Sequence, residues 1–166
     1  MIRDEEPRDI ADVRRINEGA FETPAEARLV DALQEQVASL ISLVAIVDDA
    51  VVGHILFSPV TLEGHPQLKL AGLAPMAVLP SHQRQGIGTA LVTAGLERCR
   101  EAGYDAVVVL GHPGFYLRFG FVPASRFEIR SEYDVPDEVF MIAELRPHAL
   151  DGVSGVIRFH TAFKDV

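Results

Sequence analysis

The stretch Leu79–Val92, "LPSHQRQGIGTALV", decides how the rest of this chain is read. It follows a hydrophobic run and sets Gln83, Arg84, Gln85, Gly86 and Gly88 at the mouth of a helical pattern. Glycine, lacking a Cβ, lets backbone approach a ligand closely and adopt dihedrals closed to other residues. The first N–H groups of a helix have no intrahelical partner and sit at the positive end of its dipole. Such a loop is a ready anion site, and Arg84 adds a charge-assisted donor. A plain turn before an ordinary helix has the same G-x-G pattern, so the two readings stand side by side on these residues alone.

Upstream, "MIRDE" reads as a short strand. From Pro7 onward Ile10, Val13, Ile16 and Ala20 recur at helical spacing. "TPAEARLVDALQEQ" predicts a second helix with Thr23 as cap, Pro24 at the first helical position and Glu26 three residues after the cap. "ISLVAIVDDAVVGHILFSPVTLEG" reads as two strands hinged at "DDA", and "LKLAGLAPMAVLP" as another. The helix behind the loop is expected over Gln83–Gly103, with Ile87, Leu91, Ala94 and Ala102 on one stripe and Leu96 off it. Gly103 is a suitable residue to end it.

Downstream, "DAVVVL" is the β-branched run of a strand buried on both faces. Strand, helix and buried strand make a βαβ unit whose two strands are parallel. A short helical piece, "PGFYLRFG", and β-like pieces around "FEIR", "EVFMIAEL" and "GVIRF" follow. Pro75 cannot donate to a ladder, so it belongs at a bulge or where pairing lapses. A strand that separates there opens a cleft toward the C-terminal ends, where ligands of α/β sheets bind. The fold class is therefore α/β: a mixed sheet with a parallel βαβ core, flanking helices and a splay between the two parallel strands.

The 166 residues, 48% of them hydrophobic, suit one domain over 1–166. The acidic start "MIRDEEPRDI" does not resemble a signal or transit peptide, and no apolar run approaches the roughly 20 residues of a membrane span. One cysteine, Cys99, leaves no internal disulfide or multi-cysteine zinc site, and the cytoplasm is the expected compartment. A net charge of −9 argues against nucleic acid and favours cationic partners, or serves solubility alone. The six histidines show no metal-ligand spacing, so no metal is expected. "GVSGV" falls one residue short of a nucleophile elbow.

Two familiar phosphate loops fit poorly. The dinucleotide fingerprint wants its glycines directly off the strand and a carboxylate ending the next one. Here Ser81–Gln85 intervene, Leu91 takes the third glycine position, and the next strand ends in "LGH". "GIGTAL" lacks the Gly-Lys-Ser/Thr ending of a Walker loop.

"QRQGIG" resembles the Q/R-x-x-G-x-G/A signature of the GNAT superfamily of N-acetyltransferases. The resemblance extends over nearly the whole chain. "LAPMAVLPSHQRQGIGTALV" looks like that family's fourth strand, pyrophosphate loop and third helix, and "VVVLGHPGFYLRFGFVPA" like its fifth strand, fourth helix and closing segment. "GVIRFH" is similar to a C-terminal stretch of one bacterial subgroup of these enzymes.

The resemblance implies acetyl transfer from acetyl-CoA to a primary amine by direct attack in a ternary complex, without a metal. Backbone of Met76, Ala77 and Val78 would pair with pantetheine, and Gln83, Arg84, Gln85, Gly86, Ile87, Gly88 and Thr89 would supply pyrophosphate donors. Tyr116 matches the position that protonates the departing thiolate; packing beside Phe115 and Phe119 is its plainer role. His112, at the end of the buried strand, is a candidate base. Glu26, on the helix that borders the acceptor site in the family, is a candidate for binding a cationic amine or for capping its helix. Where many members carry a pantetheine-binding asparagine, this chain has Val109, so no side-chain ligand is expected there. His54 matches a residue common in the subgroup and reads as structural. The acceptor is a small-molecule or protein amine, and a homodimer is the family's frequent assembly. A non-catalytic acyl-CoA-binding sensor of the same fold is the rival reading, and a nucleotide-binding oxidoreductase the third.

Overall fold

The computed structural model describes Met1–Asp165; Val166, the last residue of the expected domain, lies outside the described residues. The backbone forms two compact units interleaved along the chain. The first takes Met1–Ser58, Ala74–Gly95 and the segment from Thr161, the second Pro59–Leu73 and Leu96–His160.

The first unit opens with β1 (Ile2–Asp4), a 3-10 turn (Pro7–Asp9), α1 (Ile10–Ala20) and α2 (Ala25–Gln36). β2 (Ile41–Val47) and β3 (Ala50–Leu62) form the expected hairpin, and β1 adds to β2, all antiparallel. Asp48 and Asp49 turn the corner with φ of 50° and 64°. Two consecutive left-handed residues match the right-handed strand twist, and aspartate tolerates that conformation. Val13 and Ile16 of α1 and Leu29, Val30 and Leu33 of α2 share one apolar cluster with Val44, Leu56 and Ala77.

β4 (Leu70–Val78), a hydrogen-bonded neighbour of β3, and α3 (Ile87–Glu101) each begin in one unit and end in the other. Within the first unit α3 lies close on β3. A Cβ added to Gly95 would stand 2.3 Å from Phe57 Cε2, and one added to Gly53 would stand 3.1 Å from Leu91 Cδ1.

Three expectations about the helices are corrected. α3 begins at Ile87, four residues after Gln83, because Arg84 and Gly86 take φ of 62° and 84° and cannot be helical. α2 begins at Ala25, one residue after Pro24. The buried face of α3 runs through Leu91, Val92, Leu96 and Cys99, while Ala102 is exposed beyond the helix end. The expected stripe was therefore rotated, and Leu96 belongs to the core.

In the second unit β4 runs parallel to β5 (Ala106–Leu110), from Leu70 beside Ala106 to Leu73 beside Val109. The mixed sheet with a parallel pair is thus as the sequence implies. α4 (Pro113–Tyr116) follows, continued by a 3-10 turn (Leu117–Phe119). β6 (Val122–Pro123) and β8 (Phe140–Glu144) extend the sheet from β5, both pairings antiparallel. β7 (Ile129–Ser131) pairs in parallel with β9 (Gly155–Arg158), which also meets the end of β3. Val60, Leu70, Ala106, Val108, Ile142 and Ile157 form this unit's core.

Candidate functional site

The pairing of β4 with β5 stops at Leu73, two residues before Pro75. The cis peptide at Ala74–Pro75 carries the strand on through Met76, Ala77 and Val78, which have no β5 partner among the described residues. This is the lapse expected of Pro75. Met76 is half-buried; Ala77 and Val78 are buried.

β4 leads into a 3-10 turn over Pro80–His82. Gln83 then holds the loop from inside: its Nε2 donates to Val78 O at 3.0 Å, and its backbone N–H to Pro80 O at 3.4 Å. Those contacts make Gln83 an anchor for the loop rather than an open donor. Gly86 accepts the N–H of Ala90 at 3.0 Å through its carbonyl and so caps α3. The N–H groups of Ile87, Gly88 and Thr89 are then the helix's unpaired donors. No acidic residue stands in the first turn to compete for them. A Cβ on Gly86 would meet no protein atom within 4 Å. The demand for glycine there comes from its dihedrals.

Tyr116 and His112 lie in the second unit. Tyr116 is 8% exposed and ringed by aromatics, with centroids of Phe115 at 4.9 Å and Phe121 at 5.5 Å. Burial pushes its phenol up to about 12. Gly111 makes room for this ring: a Cβ there would stand 2.3 Å from Tyr116 Cε2. The sequence reading passed over Gly111, because the close approach joins residues five apart and no local pattern announces it.

His112 stands at the N-cap of α4. Its Nδ1 accepts the N–H of Gly114 at 3.1 Å, and its carbonyl accepts the N–H groups of Phe115 and Tyr116 at 3.1 Å. A nitrogen that accepts carries no proton, so the neutral ring holds its proton on Nε2. The geometry therefore gives His112 a capping role and leaves Nε2 without a lone pair to act as base. Pro113 at the first helical position was the sequence signal for this cap.

Glu26 belongs to the first unit and does not cap its helix. α2 has no side-chain cap; the Thr23 Oγ1 accepts the N–H of Ala25 at 3.3 Å, and the Glu26 Oε2 is shielded from solvent with no hydrogen-bond partner. His54 is wholly buried against Asn17 and Ser42, a structural position as expected. Cys99 is buried, which pushes its thiol up to about 12. Among the described residues no group of three or more His, Cys, Asp and Glu side chains could hold a metal, and no helix is long and apolar enough to cross a membrane.

Residues 10–121 match the acetyltransferase (GNAT) family. The chain is 38% identical over 164 residues to the uncharacterised N-acetyltransferase YhbS of Escherichia coli, covering 98% of each. It is 37% identical over 134 residues to the uncharacterised N-acetyltransferase YjhQ of the same species, covering 78% of this chain and 74% of the relative. The crystal structure of Escherichia coli YhbS in complex with CoA superposes with a TM-score of 0.94, covering 98% of this chain and 91% of that one. A GNAT acetyltransferase of Brucella melitensis in complex with acetyl-CoA gives 0.80 at 36% identity, covering 98% and 97%. With the family match over more than half its length and a full-length relative at this identity, the chain belongs to the GNAT family of acetyltransferases.

Proposed function

We propose that the protein transfers an acetyl group from acetyl-CoA to a primary amine, by direct attack in a ternary complex. The observation that carries this reading is the end of β4, Met76–Val78, which has no β5 partner among the described residues and runs into a loop that ends at the first-turn donors of α3. An extended thioester arm finds strand edge there, and a diphosphate finds backbone N–H groups. The Escherichia coli and Brucella relatives, crystallised with CoA and acetyl-CoA, support the same ligand here.

In this reading the neutral amine nitrogen attacks the thioester carbonyl carbon. Negative charge develops on its oxygen, and a backbone N–H of Met76–Val78 holds it. The C–S bond then breaks. The sulfur takes the phenolic proton of Tyr116, the nitrogen loses one proton to water, and the amide is formed. Tyr116 recovers its proton from solvent. Arg84, Gln85, Gly86, Ile87, Gly88 and Thr89 line the diphosphate side, with Gln83 holding the loop. Glu26 is assigned to the acceptor side, and a single domain acting in the cytoplasm on a small-molecule or protein amine, as a homodimer, completes the reading.

Thiol release from acetyl-CoA, followed with a broad set of primary amines, tests it. Turnover with wild type and a fall in kcat of more than tenfold in Tyr116→Phe, about 1.4 kcal/mol, is the expected result. An unchanged kcat removes Tyr116 from the chemistry. Tight acetyl-CoA binding without release against any amine leaves only the sensor reading.

A further inference from the structure

Resting on the acetyl-transfer reading above, we propose that Glu26 selects the acceptor, and that the acceptor is an amine carrying a second cationic group. The Glu26 carboxylate binds the distal ammonium while the other nitrogen is acetylated.

Three observations converge on this residue. Residues three, four and seven apart on a helix share a face. Glu26 therefore lies on the same face of α2 as Leu29, Val30 and Leu33, and that face is buried in the cluster that also contains Ala77 of β4. In this reading the same cluster reaches, through Ala77, the strand end that holds the reacting arm. Its Oε2 is shielded from solvent and meets no donor. Removing a carboxylate oxygen from water without a partner costs stability, and a bound cation restores the balance.

The helix start is served by Thr23, so Glu26 is not a cap. Four arginines of the first unit pair with other acids: Arg3 with Asp9, Arg8 with Glu6, Arg14 with Glu18 and Asp31, and Arg15 with Asp12. The net charge of −9 draws cations toward the surface as a whole.

The second cationic group follows from proton chemistry. A carboxylate set against the reacting nitrogen favours its ammonium form and so suppresses attack. Set against a different nitrogen of the same molecule, it positions the substrate and leaves the nucleophile free to lose its proton.

The test compares 1,4-diaminobutane with n-butylamine, equal in carbon count and differing by one ammonium, in steady-state acetyl-CoA turnover. Glu26→Gln keeps the size and removes the charge. It should raise the KM for the diamine tenfold or more and lower the preference for the diamine over n-butylamine, in kcat/KM, by a similar factor. Equal effects on the two amines, or none, overturn the proposal. Glu26→Asp, which keeps the charge on a shorter stem, should fall between wild type and Gln for the diamine alone. Should neither amine release thiol, the catalytic reading fails by itself. Calorimetry on the CoA-loaded protein then decides the role of Glu26: the diamine should bind wild type tenfold more tightly than n-butylamine and lose that margin in Glu26→Gln. Equal affinities for the two amines would sink it.

Discussion

His54 Nδ1 stands 3.2 Å from Asn17 Nδ2, and both residues are wholly buried. Asn17 Nδ2 also donates to Val13 O at 3.0 Å, which fixes the amide's orientation and makes the imidazole Nδ1 the acceptor. The ring proton is therefore on Nε2, 2.8 Å from Ser42 Oγ. Ser42 in turn donates to the carboxylate of Glu5, which takes two further bonds from Gln34 Nε2 at 2.9 and 3.0 Å. A single polar chain thus links α1, α2, β2, β3 and the residue after β1.

This chain sets an acid limit on stability. Burial pushes the Glu5 carboxyl up, but the nearby His54 ring and the hydrogen bonds from Ser42 and Gln34 outweigh it and hold the group below its ordinary value. A depressed carboxylate contributes stability above the unfolded value, near 4.3, and loses it as pH falls through the lower folded value. Glu5→Gln should cost roughly 1–3 kcal/mol at neutral pH, as a broken buried network does. It should also flatten the fall in Tm below about pH 4.3. Parallel Tm-against-pH curves for the two proteins would count against Glu5 as the group responsible.

The loop between β4 and α3 yields a prediction about affinity rather than stability. Gly86 has φ of 84°, and a side chain there meets no protein atom within 4 Å. Gly86→Val therefore costs about 1–2 kcal/mol in backbone conformation and places bulk where a diphosphate would approach. The expected outcome is a Tm within a few degrees of wild type with acetyl-CoA affinity reduced more than tenfold by calorimetry. Retained affinity would show that the loop holds something else.

How much of this was legible follows the range of the forces involved. The hairpin, β4 and β5 were readable because β-branched runs and the Asp48–Asp49 corner act over a few residues. The lapse after Leu73 was readable because proline has no N–H wherever it sits. Helical periodicity continues backward through Arg84 and Gly86 even though their dihedrals exclude a helix, so the start of α3 was placed too early. The parallel pairing of β7 with β9 joins segments of three and four residues too short to show a period. Glu26 and His112 both stand out in the sequence, yet which one caps a helix depends on backbone geometry that sequence spacing does not contain.

Gly111 offers a test of how the phenol is held. Replacing it with alanine puts a methyl 2.3 Å from Tyr116 Cε2, in a ring already hemmed by Phe115 and Phe121. The tyrosine must move, at a cost of about 1–3 kcal/mol for overpacking. Gly111→Ala should lower Tm and reduce kcat as Tyr116→Phe does, and adding Tyr116→Phe to it should lower kcat little further. Independent, multiplying losses in kcat would mean that Gly111 acts on something other than the tyrosine.

The alkaline side of the pH profile follows from the same burial. A tyrosine phenol ordinarily ionises near 10, whereas Tyr116 is pushed up to about 12 by desolvation. In the proposed reaction the acid form is the one that donates, so its supply would persist through the range where an exposed phenol is lost. The substrate ammonium, with an ordinary value near 10.4, meanwhile becomes nucleophilic as pH rises. The two trends together predict kcat/KM that climbs to about pH 10.5 without a downturn from the enzyme. A bell with a descending limb near 9 or 10 would mean that another acid donates the proton, or that Tyr116 ionises as an exposed phenol does.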